Sequence, residues 1–177
     1  MPCEPIKDKR IIDDMMESLA MRKNGFVYTL YFEFALSTAL RVSDILSLKK
    51  KDIKDGTVRL KTQKTGLFKK IELNPTCREK LELYLRMKKD DDLIFPFKRQ
   101  WVHKLMKFAA DYAGVPKDNI SCHTTRKTAA YRYYIATGCD INKTMKLLGH
   151  KDPKVTREYL LINDDEVNEE LVAISWS

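Results

Sequence analysis

The sequence predicts a mainly α-helical domain with one small antiparallel β-sheet, an α+β fold. Most of the chain carries apolar residues at helical spacing, as in the run from Ile11 to Leu19. One short region, residues 57–73, instead has two strand-like runs on either side of a Lys64-Thr65-Gly66 turn. At 177 residues the chain has the length of a single domain with one core, and we expect residues 1–177 to form one domain.

Two helices are predicted before the sheet. The first, residues 6–22, is amphipathic and ends at Asn24-Gly25. The second, residues 26–40, is almost wholly apolar and carries Glu33 as its only charge before Arg41. A helix with so few polar positions is expected to be buried on most sides.

The predicted sheet lies in the most basic part of the chain. Its strands are expected at residues 57–61 and 67–73, joined by the glycine-containing turn. The surrounding segment, residues 49–70, contains nine basic residues: Lys49, Lys50, Lys51, Lys54, Arg59, Lys61, Lys64, Lys69 and Lys70. Such an excess of positive charge favours a polyanionic partner, and we expect DNA binding to depend heavily on this segment.

The remaining chain is predicted to form helices separated by glycine, proline and acidic connectors. Asn74-Pro75 provides an N-cap and a proline at the first helical position, so a helix is predicted from there towards Lys89. Further helices are predicted around residues 101–112 and at residues 124–137, 141–148 and 153–161. Residues 1–163 would form the core, and residues 164–177 an acidic tail with a short helix.

Composition narrows the possible functions. The formal net charge is +8 and the pI about 9.2, which makes nucleic acid the first candidate partner. No apolar run approaches the roughly 20 residues of a membrane span, and no signal sequence is evident. The four cysteines, Cys3, Cys77, Cys122 and Cys139, are widely spaced, so we expect reduced thiols, a cytoplasmic protein and no zinc site.

Four short motifs in this chain resemble those of the tyrosine recombinases, also called the phage integrase family. Residues 38–48 look like the first arginine motif of that family, with Arg41 as its arginine. Lys64-Thr65-Gly66 looks like the lysine hairpin, and His123-Thr124-Thr125-Arg126 matches the HxxR motif. His150 after Leu148-Gly149, followed nine positions later by Tyr159, matches the nucleophile motif. The order and spacing of all four are specific, and the resemblance covers residues 7–163.

The resemblance implies the catalytic-domain fold of a tyrosine recombinase and a set of catalytic residues. Arg41 and Arg126 would stabilise negative charge on a phosphate, because two guanidiniums are planar, permanently charged donors. Tyr159 would attack the DNA phosphate and form a covalent 3′-phosphotyrosine. Lys64 would protonate the departing 5′-oxygen.

The two histidines and one carboxylate complete the predicted site. His123 would act either as a base or as a phosphate donor, and His150 as a donor to the same oxygens. Asp44 resembles an acidic position of the family that orients a catalytic group, although a solvent-facing helix charge is an equal alternative. The scheme requires no metal and no other cofactor.

The predicted function is site-specific recombination of double-stranded DNA through the phosphotyrosine intermediate. Two alternatives remain at this stage: DNA relaxation of the type IB topoisomerase kind, and a DNA-binding regulator without catalytic activity. The intact catalytic set argues against the regulator, because a binding module has no use for a nucleophile. The resemblance also implies a monomer in solution that forms a homo-tetramer on DNA. The N-terminal core-binding domain of relatives is absent from this sequence, which predicts a fragment or a minimal enzyme.

Overall fold

Helices hold more than half of the residues that the structure describes, as predicted. The structure is a computed structural model that describes residues 3–161 and Val172. The α-helices in that part are α1 Lys9–Ala20, α2 Gly25–Thr38, α3 Val42–Ser47, α4 Pro75–Leu85, α5 Arg99–Tyr112, α6 Thr124–Ala136, α7 Ile141–Leu148 and α8 Pro153–Leu160. The strands are β1 Ile53–Lys54, β2 Thr57–Lys61 and β3 Phe68–Glu72. The predicted α+β class is confirmed, whereas the predicted tail helix lies outside the described residues.

Side-chain caps fix where several helices begin. The Asn74 side chain accepts a hydrogen bond from the Cys77 backbone N–H at 2.9 Å, and Pro75 occupies the first position of α4, as predicted. Asp8 caps α1 in the same way, so that helix begins at Lys9 and not at residue 6. Asp140 caps α7 through the Lys143 N–H at 3.0 Å. Each cap satisfies a backbone donor that the helix cannot pair internally.

Helix α2 is the centre of the core, in agreement with its apolar sequence. Leu30, Phe32, Phe34 and Ala35 are all at most 1% exposed. The helix packs against α1, α4 and α6. Burial of this many large apolar side chains is the main stabilising contribution to the fold.

The sheet has three antiparallel strands in the order β1, β2, β3. In its longer pair Leu60 lies opposite Lys69, and Val58 lies opposite Ile71. The predicted strand at residues 57–61 is confirmed. The two-residue strand β1 was not predicted because it is too short to show an alternating pattern.

An acidic run neutralises the start of the basic segment. The Lys51 ammonium lies 2.7 Å from the Asp91 carboxylate, the Lys49 ammonium 3.3 Å from it, and that of Lys50 3.9 Å from Asp90. The expected basic surface is therefore weakest here and begins beyond these ion pairs.

The cysteines and the absence of a membrane-spanning run were two predictions from composition. All four cysteines lie within the described residues, and none forms a disulfide. Among the described helices, none has both the length and the apolar character needed to cross a bilayer.

Candidate active site

Arg126 is the most buried cation of the predicted site. It lies in the first turn of α6 and is 2% exposed. Its Nη1 donates to the Ala39 carbonyl at 2.5 Å and its Nη2 to the Leu148 carbonyl at 2.7 Å. Both partners are neutral carbonyls next to the ends of helices α2 and α7, where the helix dipole favours a cation. Burial lowers the pKa of Arg126, and the nearby Arg41 lowers it further.

Arg41 lies in the same site as Arg126 because helix α2 ends at Thr38, three residues before Arg41. Ala39 adopts a left-handed conformation with φ +50°, which is unusual for a residue other than glycine. The chain then turns, and an extended Arg41 precedes α3. Its charge affects the pKa values of Arg126, His123, His150 and Tyr159.

Asp44 is not a solvent-facing helix charge. It is 1% exposed, and its Oδ1 accepts a hydrogen bond from the Gln63 backbone N–H at 2.9 Å. Its Oδ2 is buried without a hydrogen-bond partner among the described residues. The carboxylate therefore fixes the base of the lysine hairpin relative to α3, and it places a negative charge near the two arginines.

Lys64 lies at the tip of this hairpin and is exposed. The turn is closed by hydrogen bonds from the Thr62 N–H to the Leu67 carbonyl and from the Gly66 N–H to the Thr62 carbonyl, both 2.9 Å. Gly66 has φ +65°, which other residues rarely adopt. The charge of Lys64 contributes to the lowered pKa of His150, which places it at the edge of the site.

His123 lies directly before α6, three residues from Arg126. Its backbone N–H donates to the Ser121 hydroxyl at 3.0 Å. Burial lowers the pKa of its imidazole, and the cations Arg99, Arg126 and Arg41 lower it further. His123 is therefore neutral near pH 7 and has a nitrogen free to accept a proton.

His150 follows α7 and Gly149, which takes the left-handed conformation with φ +70°. Its Nδ1 lies 3.0 Å from the hydroxyl of Thr156, which fixes the ring and leaves Nε2 for another contact. Burial, followed by the charges of Arg126 and Arg41, lowers the pKa of His150 to about 4. The neutral ring packs edge-on against Tyr159, with ring centroids 5.3 Å apart.

Tyr159 lies on α8 with its hydroxyl turned into the protein. The Oη atom is buried and its hydroxyl donates no hydrogen bond among the described residues, while the Arg126 guanidinium lies close enough to interact with the oxygen. Burial raises the pKa of the phenol, whereas Arg126 and Arg41 act in the opposite direction. The Lys127 ammonium also lies over the ring, 5.2 Å from its centroid. A buried phenol that donates no hydrogen bond costs free energy, and such groups concentrate at functional sites.

The structure brings five of the six predicted residues together and leaves Lys64 at the margin. It also reveals a residue that sequence reasoning missed. Lys69 on β3 donates a hydrogen bond to the Leu147 carbonyl, and burial with Arg126 and Arg41 nearby lowers its pKa to about 8. The alternation of side chains along a strand could have predicted its position. Lys69 and Ile71 lie on the partly buried side of β3, whereas their neighbours are exposed.

Comparison with known proteins decides the family. The profile of the phage integrase family matches residues 8–166. The chain belongs to this family. The predicted resemblance is confirmed, and with it the class of enzyme, a DNA breaking and rejoining tyrosine recombinase.

Individual members of the family agree with this assignment. The probable integrase/recombinase YoeC of Bacillus subtilis is 29% identical over 170 residues, which cover 92% of this chain and 91% of YoeC. The tyrosine recombinase XerA of Saccharolobus solfataricus is 30% identical over 151 residues, 84% of this chain and 50% of XerA. The crystal structure of XerH site-specific recombinase bound to its difH substrate has a TM-score of 0.73 and 20% identity, covering all of this chain and 56% of XerH. This integrase-family chain thus matches nearly the whole of YoeC and about half of XerA.

The low pKa of His150 predicts that the protein loses stability in acid. Below about pH 6.5 the unfolded chain binds a proton at this histidine, whereas the folded chain does so only near pH 4. The unfolded state then holds more protons, so the free energy of unfolding falls as the pH decreases through this window. Urea denaturation at several pH values should show that His150→Gln removes part of this fall, and His123 and the carboxyls with lowered pKa values contribute to the rest. Identical pH dependences for the wild type and the variant would contradict the assignment.

Proposed function

We propose that this chain cleaves and rejoins DNA at specific sites, with Tyr159 as the nucleophile. The observation that carries the proposal is the buried hydroxyl of Tyr159, which donates no hydrogen bond among the described residues and lies close to the charges of Arg126 and Arg41. Asp44 is the carboxylate whose charge favours the Arg126 cation. A DNA phosphate would supply the missing negative charge and the missing hydrogen-bond acceptor.

Arg41 and Arg126 would hold the phosphate and stabilise its transition state. Attack by the phenol places extra negative charge on the non-bridging oxygens. Arg126 is fixed by two carbonyls before any substrate arrives, so little reorganisation is needed when this charge develops. Nε2 of His150 would contact the same oxygens.

Tyr159 must lose its proton to attack. Because its pKa is raised, the phenol is protonated near pH 7 and requires a base. Neutral His123 is the proposed acceptor. The Tyr159 oxygen then bonds to phosphorus while the bond to the 5′-oxygen breaks, and a lysine protonates that oxygen. The position of Lys64 in the family's hairpin motif makes it the first candidate for this role, and rejoining reverses the same steps without ATP.

The proposal extends to assembly. We propose that the chain is a monomer in solution and forms a homo-tetramer on paired sites of double-stranded DNA. Sedimentation of the protein alone and with duplex would test this. A tetramer without DNA, or a stable monomer on paired sites, would contradict it.

A selection from random DNA sequences tests the function and identifies the target in the same experiment. Nicked duplexes with randomised sequence around the nick lose a short fragment after cleavage, which traps a covalent intermediate. The protein is incubated with this library, denatured, and separated from free DNA. Recovered adducts should share a sequence; a library without adducts would contradict the proposal.

The positions of the ion pairs predict which lysines contact DNA. Lys61 and Lys64 are exposed and have no ion pair within residues 3–161, whereas Lys49 and Lys51 share Asp91. Each phosphate contact contributes about −0.9 to the slope of log affinity against log salt. Replacing Lys61 and Lys64 by Gln should make this slope shallower by up to about 2. The same replacements at Lys49 and Lys51 should make it shallower by less. Equal reductions in fluorescence anisotropy titrations would contradict this.

A further inference from the structure

Lys69 is a second lysine inside the proposed site, and no step described above uses it. It is the second residue of β3, opposite Leu60 of β2, on the inward side of the strand. Its neighbours Phe68 and Lys70 are exposed on the other side. The strand geometry thus directs this ammonium towards the arginines, whereas Lys64 is at the exposed hairpin tip.

The contact of Lys69 places it beside Arg126. Its Nζ donates to the carbonyl of Leu147, and Arg126 donates to the carbonyl of the next residue, Leu148. Adjacent Cα atoms are about 3.8 Å apart, so the two cations lie within roughly 10 Å of each other at the end of α7. Both are held by neutral carbonyls, and the charge of Arg126 lowers the pKa of Lys69.

The charged groups that face Lys69 are mostly cations. Arg126 and Arg41 disfavour its ammonium, and Asp44 favours it. From α7, Lys143 and Lys146 line the same groove. His150, which Lys69 affects in turn, is neutral near pH 7. Burial and these cations therefore disfavour the charged form of Lys69.

We propose that Lys69, in place of Lys64 at the hairpin tip, is the lysine that moves from the Leu147 carbonyl to the scissile phosphate and donates a proton to the departing 5′-oxygen. In this step the bond from Tyr159 to phosphorus forms and the bond from phosphorus to the 5′-oxygen breaks. The phenol proton goes to His123, and the 5′-oxygen takes its proton from Nζ. During rejoining the neutral amine takes that proton back. This inference rests on the proposed function.

The proton-transfer chemistry agrees with the environment of the side chain. With a pKa of about 8, Lys69 is populated in both protonation states near physiological pH, as a group that acts as acid in cleavage and base in rejoining requires. Cleavage by the wild type below saturation should therefore fall as the pH rises above about 8, because the acid form is lost.

A sulfur substitution separates proton donation from structural support. In a duplex whose leaving 5′-oxygen is replaced by sulfur, the leaving group departs as a thiolate and needs no proton. The targets are those recovered from the randomised library, and single-turnover cleavage is measured for Lys69→Met, Lys64→Met and Lys70→Met. Lys70 is the matched control, because it lies next in the same strand with an exposed side chain.

Lys69→Met should slow cleavage of the oxygen substrate by about 10²-fold and cleavage of the sulfur substrate far less. It should also remove the decline above about pH 8, whereas Lys64→Met and Lys70→Met keep the wild-type ratio of the two rates. A loss of this ratio in Lys64→Met and not in Lys69→Met would return the role to Lys64. If Lys69→Met cleaves the oxygen substrate as fast as the wild type does, or loses the same factor on both substrates, the proposal for Lys69 is overturned. Adducts formed by the wild type would still uphold the proposed function in that case. Absence of any wild-type adduct would overturn the function and this inference together.

Discussion

Tyr159→Phe should abolish the covalent protein–DNA adduct while leaving DNA binding and the fold intact. The substitution removes only the phenolic oxygen, which is the proposed nucleophile. The ring that packs against His150 remains. Because the buried hydroxyl donates no hydrogen bond among the described residues and interacts only weakly with Arg126, its loss should change the free energy of unfolding by no more than about 1 kcal/mol.

Tyr133→Phe is the matched control. It removes a hydroxyl from an exposed tyrosine on α6, outside the proposed site. We expect it to form adduct as the wild type does. The two variants are compared by gel analysis of trapped adducts, by anisotropy with an intact duplex and by urea denaturation. Adduct formation by Tyr159→Phe would refute the assignment of the nucleophile.

Arg126→Met should lose both cleavage and stability. Without the guanidinium, the carbonyls of Ala39 and Leu148 lose the hydrogen bonds that Arg126 donates to them. Leaving buried acceptors unpaired should lower the free energy of unfolding by about 2–4 kcal/mol, even though a desolvated charge is also removed. Adduct formation should fall below detection, because the transition-state charge loses its most fixed donor.

Arg132→Met distinguishes this effect from a general loss of positive charge. Arg132 lies on the same helix and is exposed, so its replacement should change the free energy of unfolding by no more than about 0.5 kcal/mol. Equal stability losses in the two variants, measured by urea denaturation, would mean that the bridging contacts of Arg126 contribute nothing.

Local sequence signals were sufficient for most elements of the fold. Helix α7 begins and ends where the apolar spacing and Gly149 predicted, and Asn74-Pro75 starts α4. Helix α3 was not predicted as a separate element, because α2 ends with a left-handed Ala39, a conformation that alanine rarely adopts and that nothing nearby indicates. The pairing of Lys51 with Asp91 joins residues 40 apart, so no local pattern shows it.

The candidate site was predictable where a motif fixes the spacing of its residues. His123 and Arg126 share one helical turn, and His150 and Tyr159 meet because α8 folds back from the turn after α7. Lys69 could not be singled out in the sequence, because it is one of nine basic residues in the segment 49–70. Only its contact with α7 distinguishes this partly buried lysine from a solvent-exposed one. The burial of Asp44 likewise depends on a hairpin 19 residues away in sequence.

The central claim is that Tyr159 forms the covalent bond to DNA. The most direct measurement is mass spectrometry of the trapped adduct after nuclease and protease digestion, which locates the residual nucleotide on one peptide. We predict that the nucleotide is attached to Tyr159 through a 3′-phosphate. A nucleotide on any other residue, or one attached through a 5′-phosphate, would contradict it.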